Sequence, residues 1–475
     1  QVQPPLPDFT TATRPDMRVR WLDFCRFKAY LNGAYWFQTM AEHIRRFDED
    51  RVIIIYGLTG REISGRLAEL ADFVHGGGVP YMPGNGSGAA HWREHRLGNI
   101  QECHHPHRWG AYGDPSGTGW VLDWNLYTMV SLHGAGGTNL HIYFHPLSDV
   151  VARYGGAWAY DRYEQFQPIM RELHEAKVLF DAAPQVATLQ DPTTLYTKHR
   201  TNFPHRLGDL RRFFELLLHE GIDHEPLRTE RLGEYKLLLP NPLDEVLAAD
   251  TVDLLDRYLR GGGKAILTAT TGRYCPELGD EQFVLLQRLD IDAPTGAYVQ
   301  LGENVTAKVT GATPLFDKGD EVRFFTLTNL RDDPQKPEVH NSFFGWPYRG
   351  IPLTDYFGYF RDNKDTNGEV LARFDGGGVA ISRHRVGKGE AIVFWGMPKY
   401  TKQEMEGFMT AAAEWAGVER PASDNPIPLA MEARNAELGR HYAILWTEEP
   451  GTYRQTFPKA PDGTFYVDDM LSGWK

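Results

Sequence analysis

The sequence predicts an α/β protein: half of an eight-stranded β/α barrel, then a doubly wound open sheet, then the start of a β-sandwich. Three observations carry this. Four short apolar runs in residues 1–180 alternate with helical patterns, the rhythm of parallel βαβ units. A second series of strand and helix patterns begins near Gln185 and runs to about residue 420, as in an open doubly wound sheet. From about Pro426 the pattern turns to β alternation, in HYAILWT and GTFYVDD, and residues 421–475 read as the start of a further β domain.

Taken in order, residues 1–16 are a Pro/Thr-rich loop. A helix is expected from Met17 to Phe47, where Phe24, Phe27, Leu31, Ala34 and Tyr35 recur at helical spacing. Arg51–Tyr56 is a continuous apolar run, as expected of a strand covered on both faces. Glu62–His75 reads as helix, and Val79–Pro83 as a short strand opening into the glycine-rich loop that holds Asn85. That loop lacks the Lys-Ser/Thr of a P-loop and the spacing of a dinucleotide fingerprint. The third strand starts at Asn99 and ends on Glu102; a long loop to Trp124, a helix over Asn125–His133 and a strand over Thr138–His145 come after it. A periodic helix, Tyr160–Ala176, closes the block.

In the second block, strands are expected at Gln185–Leu189, Tyr235–Pro240, Lys264–Thr268 and Ala391–Gly396. Helices are expected at Arg206–His219, Asp244–Arg260 and Glu404–Ala416, the second ending in a three-glycine cap signal. Residues 295–380 interrupt the alternation with a β-rich insertion that carries the aromatic cluster from Phe343 to Tyr348.

Composition bounds the function. At 475 residues the length suits about three domains, placed at 1–180, 181–420 and 421–475. Aromatic residues make up 12%, including 12 Trp and 22 Tyr, which fits a surface on which sugar rings stack or a large aromatic core. The net charge of −13 is spread along the chain and argues against nucleic acid, whose binders carry a basic footprint. No apolar run reaches the roughly 18 residues of a membrane span. Cys25, Cys103 and Cys275 are odd in number and far apart, so no disulfide framework is expected. The compartment, cytoplasmic or secreted, stays open.

Ligands sit at the carboxyl ends of strands in parallel α/β folds. Glu102 stands at such an end, followed by His104, His105, His107, Arg108 and Trp109. A carboxylate beside Trp and His suits sugar-splitting chemistry. A retaining glycosidase needs two carboxyl groups about 5–5.5 Å apart, one of them an ionised nucleophile. Donors nearby would keep Glu102 ionised, because hydrogen bonds to the charged form lower a carboxyl pKa. The bland alternative is a loop-start Glu paired with Arg108. Cys103 and the three imidazoles also suit zinc, but adjacent ligands on one loop converge poorly, and neither metal nor cofactor is assigned.

Several segments resemble glycoside hydrolase family 42, the barrel-based β-galactosidases of clan A. The order Glu102, Pro106, Trp109, Gly117 and Gly119, then Leu132-His133-Gly134-Ala135 and Ile142-Tyr143-Phe144, is similar to the family's last two barrel strands. Trp21-Leu-Asp-Phe-Cys-Arg-Phe27 resembles the helix after the fourth strand. Glu369–Asp375 and Val386–Glu390 resemble the amidotransferase-like trimerisation domain.

The resemblance implies that residues 1–180 are the second half of a TIM barrel and 181–420 an amidotransferase-like α/β domain, with a partial β-sandwich after it. It implies a β-galactosidase-like retaining hydrolase with Glu102 as nucleophile. Trp109 would wall a subsite, while His104, Arg108, Tyr143, His145, Tyr56 and Asn85 would line the sugar pocket. The family's acid/base Glu lies upstream of the Trp21 helix, so it and the first four strands are expected on a segment or chain outside this sequence. The family's four-Cys zinc cluster has no counterpart here. A carbohydrate substrate and a homotrimer are the partners implied.

Two rivals stand: a relative that has lost catalysis and binds carbohydrate, and an assembly role for the second domain. Another retaining specificity, such as arabinosidase, mannosidase or fucosidase, is compatible with the first reading.

Overall fold

The computed structural model of the protein describes parts of residues 19–27, residues 35–56, the strand residues 73–77, 98–104 and 139–143, most of 184–193 and 220–324, then 359–398, most of 405–419, and the strand residues 422–423, 429–435, 440–446 and 455–456. The chain divides into two compact units, one of Gln1–Asn32 with Pro184–Glu419 and one of Gly33–Ala183 with Arg420–Lys475. No helix among the described residues is long and apolar enough to cross a membrane.

In the second of these units, helix α1 (Trp36–Phe47) precedes four strands: β1 (Ile54–Tyr56), β2 (Phe73–Gly77), β3 (Gly98–His104) and β4 (Asn139–Tyr143). They form one sheet in the order β1-β2-β3-β4, every neighbour parallel. Each strand pairs with its predecessor, the sequential order of a β/α barrel rather than of a doubly wound sheet. The expected helix over Glu62–His75 is corrected at its end, since Phe73, Val74 and His75 lie in β2. Pairing on both sides, to Ile54–Tyr56 and to Gly98–Ile100, overrides the helical reading of that stretch. The strand expected at Val79–Pro83 and the helices at Asn125–His133 and Tyr160–Ala176 lie outside the described residues.

The other unit is organised by a nine-stranded sheet. Its parallel strands are β5 (Val186–Thr188), β6 (Glu225–Pro226), β7 (Leu237–Leu239) and β8 (Lys264–Thr268). The β-rich insertion contains β9 (Tyr298–Val299), β10 (Val305–Val309), β11 (Glu321–Phe324), β12 (Tyr359–Phe360) and β13 (Glu369–Phe374); β9 and β12 pair with each other outside the nine-stranded sheet. The hairpin of β14 (Val379–Val386) and β15 (Gly389–Phe394) comes next. The sheet runs β11-β10-β13-β14-β15-β8-β7-β5-β6, antiparallel from β11 to β15 and parallel from β15 onward.

Among the parallel strands the chain order reverses between β5 and β7, which is the doubly wound signature. β10, β11 and β13, expected within an interruption, are instead the antiparallel wing of the same sheet. Val186–Thr188 and Leu237–Leu239 are buried at every residue, as parallel strands covered on both faces must be. The carboxy-terminal pairs are β16 (Ala422–Ser423) with β19 (Gln455–Thr456), and β17 (Leu429–Asn435) with β18 (Arg440–Trp446).

Helix α2 (Ala249–Gly261) buries Val252, Leu255, Tyr258 and Leu259, one stripe at helical spacing. Gly262 ends it in the left-handed region at φ 118°, where a side chain would strain the backbone. Its start corrects the expectation of Asp244. Residues 244–247 are extended, with Leu247 N–H donating to the Tyr274 carbonyl and Tyr274 N–H to the Glu245 carbonyl, both at 3.0 Å. Helix α3 (Val284–Arg288) is a short turn, and α4 (Phe408–Ala416) starts later than expected because Gly407 takes φ 75°.

The segment Val386-Gly-Lys-Gly-Glu390 is the two-residue hairpin joining β14 to β15. Gly387 has φ 59°, and a Cβ there would sit 2.8 Å from the Arg260 Cα. Lys388 N–H donates to the Arg260 carbonyl at 3.2 Å, satisfying an orphan carbonyl at the end of α2.

The Leu22–Phe27 stretch also finds its place in this unit. Leu22 is fully buried, and Arg26 Nη1 lies 2.6 Å from Glu277 Oε1. Glu277 Oε2 accepts the Ala249 N–H at 2.6 Å, at the start of α2. Burial opposes the charge on Glu277, but this amide and Arg26 outweigh it and hold the carboxyl below its ordinary range.

In the core, Trp395 donates its indole N–H to Ser382 Oγ at 2.8 Å, and Ser382 Oγ lies 2.7 Å from His384 Nε2. Burial pushes the His384 pKa down to about 4, against a weaker upward pull from Asp292. The unfolded chain therefore takes this proton first. The contribution of neutral His384 is complete above its ordinary pKa of 6.5 and is lost as pH falls from there to about 4. The full loss is about 3 kcal/mol. Urea unfolding of the protein between pH 7 and 4 is expected to show this decline, and His384→Gln to flatten it. An equal slope in the variant would assign the decline to other groups.

Candidate active site

The registers of β1–β4 order the candidate residues into rows. Tyr56, His75, Ile100 and Asn139 pair across the sheet in one row. Two residues farther on, Gly77, Glu102 and His141 form the next row of the same phase. His104 and Tyr143 form the one after that. A strand alternates its faces at every residue, so these three rows share a phase. The intervening rows hold Ile55, Val74 and Asn99, then Gly76, Gln101 and Leu140, then Cys103 and Ile142. With the row of Ile54, Phe73 and Gly98, which shares the phase of Glu102, that face holds every His, Tyr and Glu of the four strands alongside Ile54, Phe73 and Ile100, and the other phase holds none of them.

Glu102 is the one carboxylate among the described residues of this sheet. It does not end its strand as expected, since β3 continues to His104 and pairs there with Tyr143 at the end of β4. Continued pairing with Ile142 and Tyr143 carries the strand two residues further than the loop-like His run suggests. Tyr56 ends β1 as expected. The sheet thus brings Tyr56, Glu102, His104 and Tyr143 into one phase. Trp109, Arg108, His145 and Asn85 lie outside the described residues.

His75 and His141, which have no role in the sequence-based expectations, are placed by the registers in the same phase as Glu102. Their signal in the sequence is a lone His among strand-forming residues, in Phe73-Val-His75 and Leu140-His-Ile142. It gains meaning only once both are known to be strands in register with Glu102.

In the doubly wound unit, the switch point between β5 and β7 is where such folds bind ligands. Here Asp191, just past β5, is buried and accepts backbone N–H groups from Thr193 and Ala248, each at 2.8 Å. It ties the loop after β5 to the start of α2. Past β8, the Thr268 hydroxyl lies 3.1 Å from that of Thr270 and 3.0 Å from that of Thr271. Cys275 is fully buried, and burial raises its thiol pKa to about 11. A thiol that is protonated at neutral pH is a poor nucleophile.

No family model and no curated protein sequence matches the chain. Solved structures do. A β-galactosidase from Bacillus circulans sp. alkalophilus is 14% identical, with a TM-score of 0.59 over 90% of this chain and 62% of its own. One from Rahnella sp. R3 is 14% identical, with a TM-score of 0.59 over 91% of this chain and 63% of its own. A catalytic mutant of a glycoside hydrolase family 42 β-galactosidase from G. stearothermophilus is 11% identical, with a TM-score of 0.55 over 92% and 63%.

At these identities the likeness is one of fold, and over most of its length this chain has the fold of family 42 β-galactosidases. The four-stranded sheet is accordingly consistent with part of a TIM barrel. The chain spans a little under two thirds of the length of these structures.

The inert reading of Cys275 is directly measurable. Iodoacetamide at pH 7.5 is expected to leave the Cys275 peptide of the native protein unmodified and to alkylate it after unfolding in urea. Rapid alkylation in the native state would reveal an accessible thiolate.

Proposed function

We propose that the chain is the larger part of a retaining glycoside hydrolase that acts on a β-linked glycoside, β-galactosidase-like, with Glu102 as its nucleophile. The supporting observation is the placement of Glu102. It is the one carboxylate among the described residues of a sequentially ordered parallel sheet, in a phase shared with His and Tyr, within a fold shared with family 42 β-galactosidases. Fold alone does not carry function; the carboxylate in this position is what supports the reading.

In the proposed reaction the Glu102 carboxylate attacks the anomeric carbon and forms a glycosyl-enzyme. A second carboxyl protonates the leaving oxygen and then activates water. That second carboxyl is proposed to belong to barrel strands carried outside this sequence. Residues 1–180 are then the second half of the barrel, 181–420 an amidotransferase-like domain and 421–475 a partial β-sandwich. Trp109, Arg108, His145 and Asn85 join His104, Tyr143 and Tyr56 in the sugar pocket. On the same reading the protein is a trimer, which analytical ultracentrifugation would register as three times the chain mass.

The test of Glu102 is mass spectrometry after incubation with a 2-deoxy-2-fluoro-β-galactosyl fluoride. The expected result is one covalent label, on the peptide that holds Glu102. Glu102→Gln is expected to reduce labelling to less than about one thousandth of its rate, as loss of a nucleophile does. Saturable sugar binding by calorimetry without any label would overturn the catalytic reading in favour of a carbohydrate-binding relative. Oligomers with no sugar affinity would favour an assembly role.

A further inference from the structure

The rows of the parallel sheet single out one neighbour of Glu102, and its role rests on the reading of Glu102 as nucleophile. In its own row Glu102 is flanked by Gly77 on β2 and His141 on β4. Gly77, the last residue of β2, has no side chain. His141 stands on the other side, one strand spacing away, about 4.8 Å between backbones. The remaining titratable residues of the phase are farther from it. His104, on β3 itself, is two residues along, about 6.6 Å. His75 on β2 and Tyr143 on β4 are diagonal neighbours, at about 8 Å.

A retaining nucleophile must stay ionised and hold one orientation while its partner carboxyl is protonated. A donor beside it achieves both, because a hydrogen bond to the charged form lowers the pKa and fixes the oxygen positions. We infer that His141, the register neighbour of Glu102 on β4, is a positioning residue for that nucleophile.

The test uses the protein with its barrel complete, this chain together with the segment or chain that carries the first four strands, and the rate of covalent labelling by 2-deoxy-2-fluoro-β-galactosyl fluoride between pH 4 and 8. In that step a carboxylate oxygen bonds to the anomeric carbon as the C–F bond breaks and fluoride departs with the electron pair. Fluoride leaves without a proton donor, so the measurement does not depend on the acid/base partner.

His141→Ala is expected to slow labelling about 10- to 100-fold, the worth of a hydrogen bond to a charged group. It should also move the acid-side onset of labelling up by about one pH unit. His141→Gln, which keeps a donor without a titratable charge, should recover much of the plateau rate. A labelled wild type with an unmoved rate and onset in His141→Ala would overturn this inference alone. A loss of labelled fraction with no shift in onset, and no rescue by His141→Gln, would also overturn it, as the mark of a merely structural residue. A wild type that takes no label would overturn the Glu102 reading and this inference together.

Discussion

The described core depends on one backbone seam, the parallel pairing of β8 with β15. Lys264 to Thr268 align residue by residue with Glu390 to Phe394. This ladder joins the doubly wound strands on one side to the antiparallel wing on the other. Ala265, Ile266, Leu267, Ala391, Ile392, Val393 and Phe394 are all buried along it. The strands it joins are far apart in sequence, and such long-range pairings form slowly because the loop between them must close first. The glycines of the β14–β15 turn belong to the same constraint. They let the hairpin lie against the end of α2, which leads directly into β8.

The two sheets of the protein solve different problems with the same parallel ladder. In the doubly wound unit the described residues past β5 and β8 bond within the fold. Asp191 spends both oxygens on backbone amides, and the threonine hydroxyls past β8 bond to one another. In the sequentially ordered sheet, the rows gather histidine, tyrosine and one carboxylate in a single phase. The buried Cys275 thiol and the buried neutral His384 both belong to the scaffold.

Much of this is legible in the chain. Lys264–Thr268 reads as a strand because it is short, apolar and preceded by a three-glycine stop, and the structure has a strand there. The alternating β/α pattern announces parallel sheets, and the Glu102 strand announces a carboxylate near their carboxyl ends. The expectations fail where local preference and tertiary pairing disagree. Phe73-Val-His75 continues a helical pattern, yet its backbone is claimed by β1 and β3. Asp244–Leu247 has helix-forming composition, yet its polar backbone groups are used by residues 272–274. Gly407 delays α4 by a backbone angle that periodicity does not register.

By itself, then, the sequence determined the kinds of element, their order and the candidate chemistry of Glu102, because propensity, periodicity and side-chain type are local properties. Only the tertiary structure decided which strands are neighbours and in what register. His141 and Gly77 became the partners of Glu102 through backbone hydrogen bonds between segments dozens of residues apart. A shift of one residue in either pairing would have moved both to the other phase. Nothing in the local sequence around Glu102 sets that register.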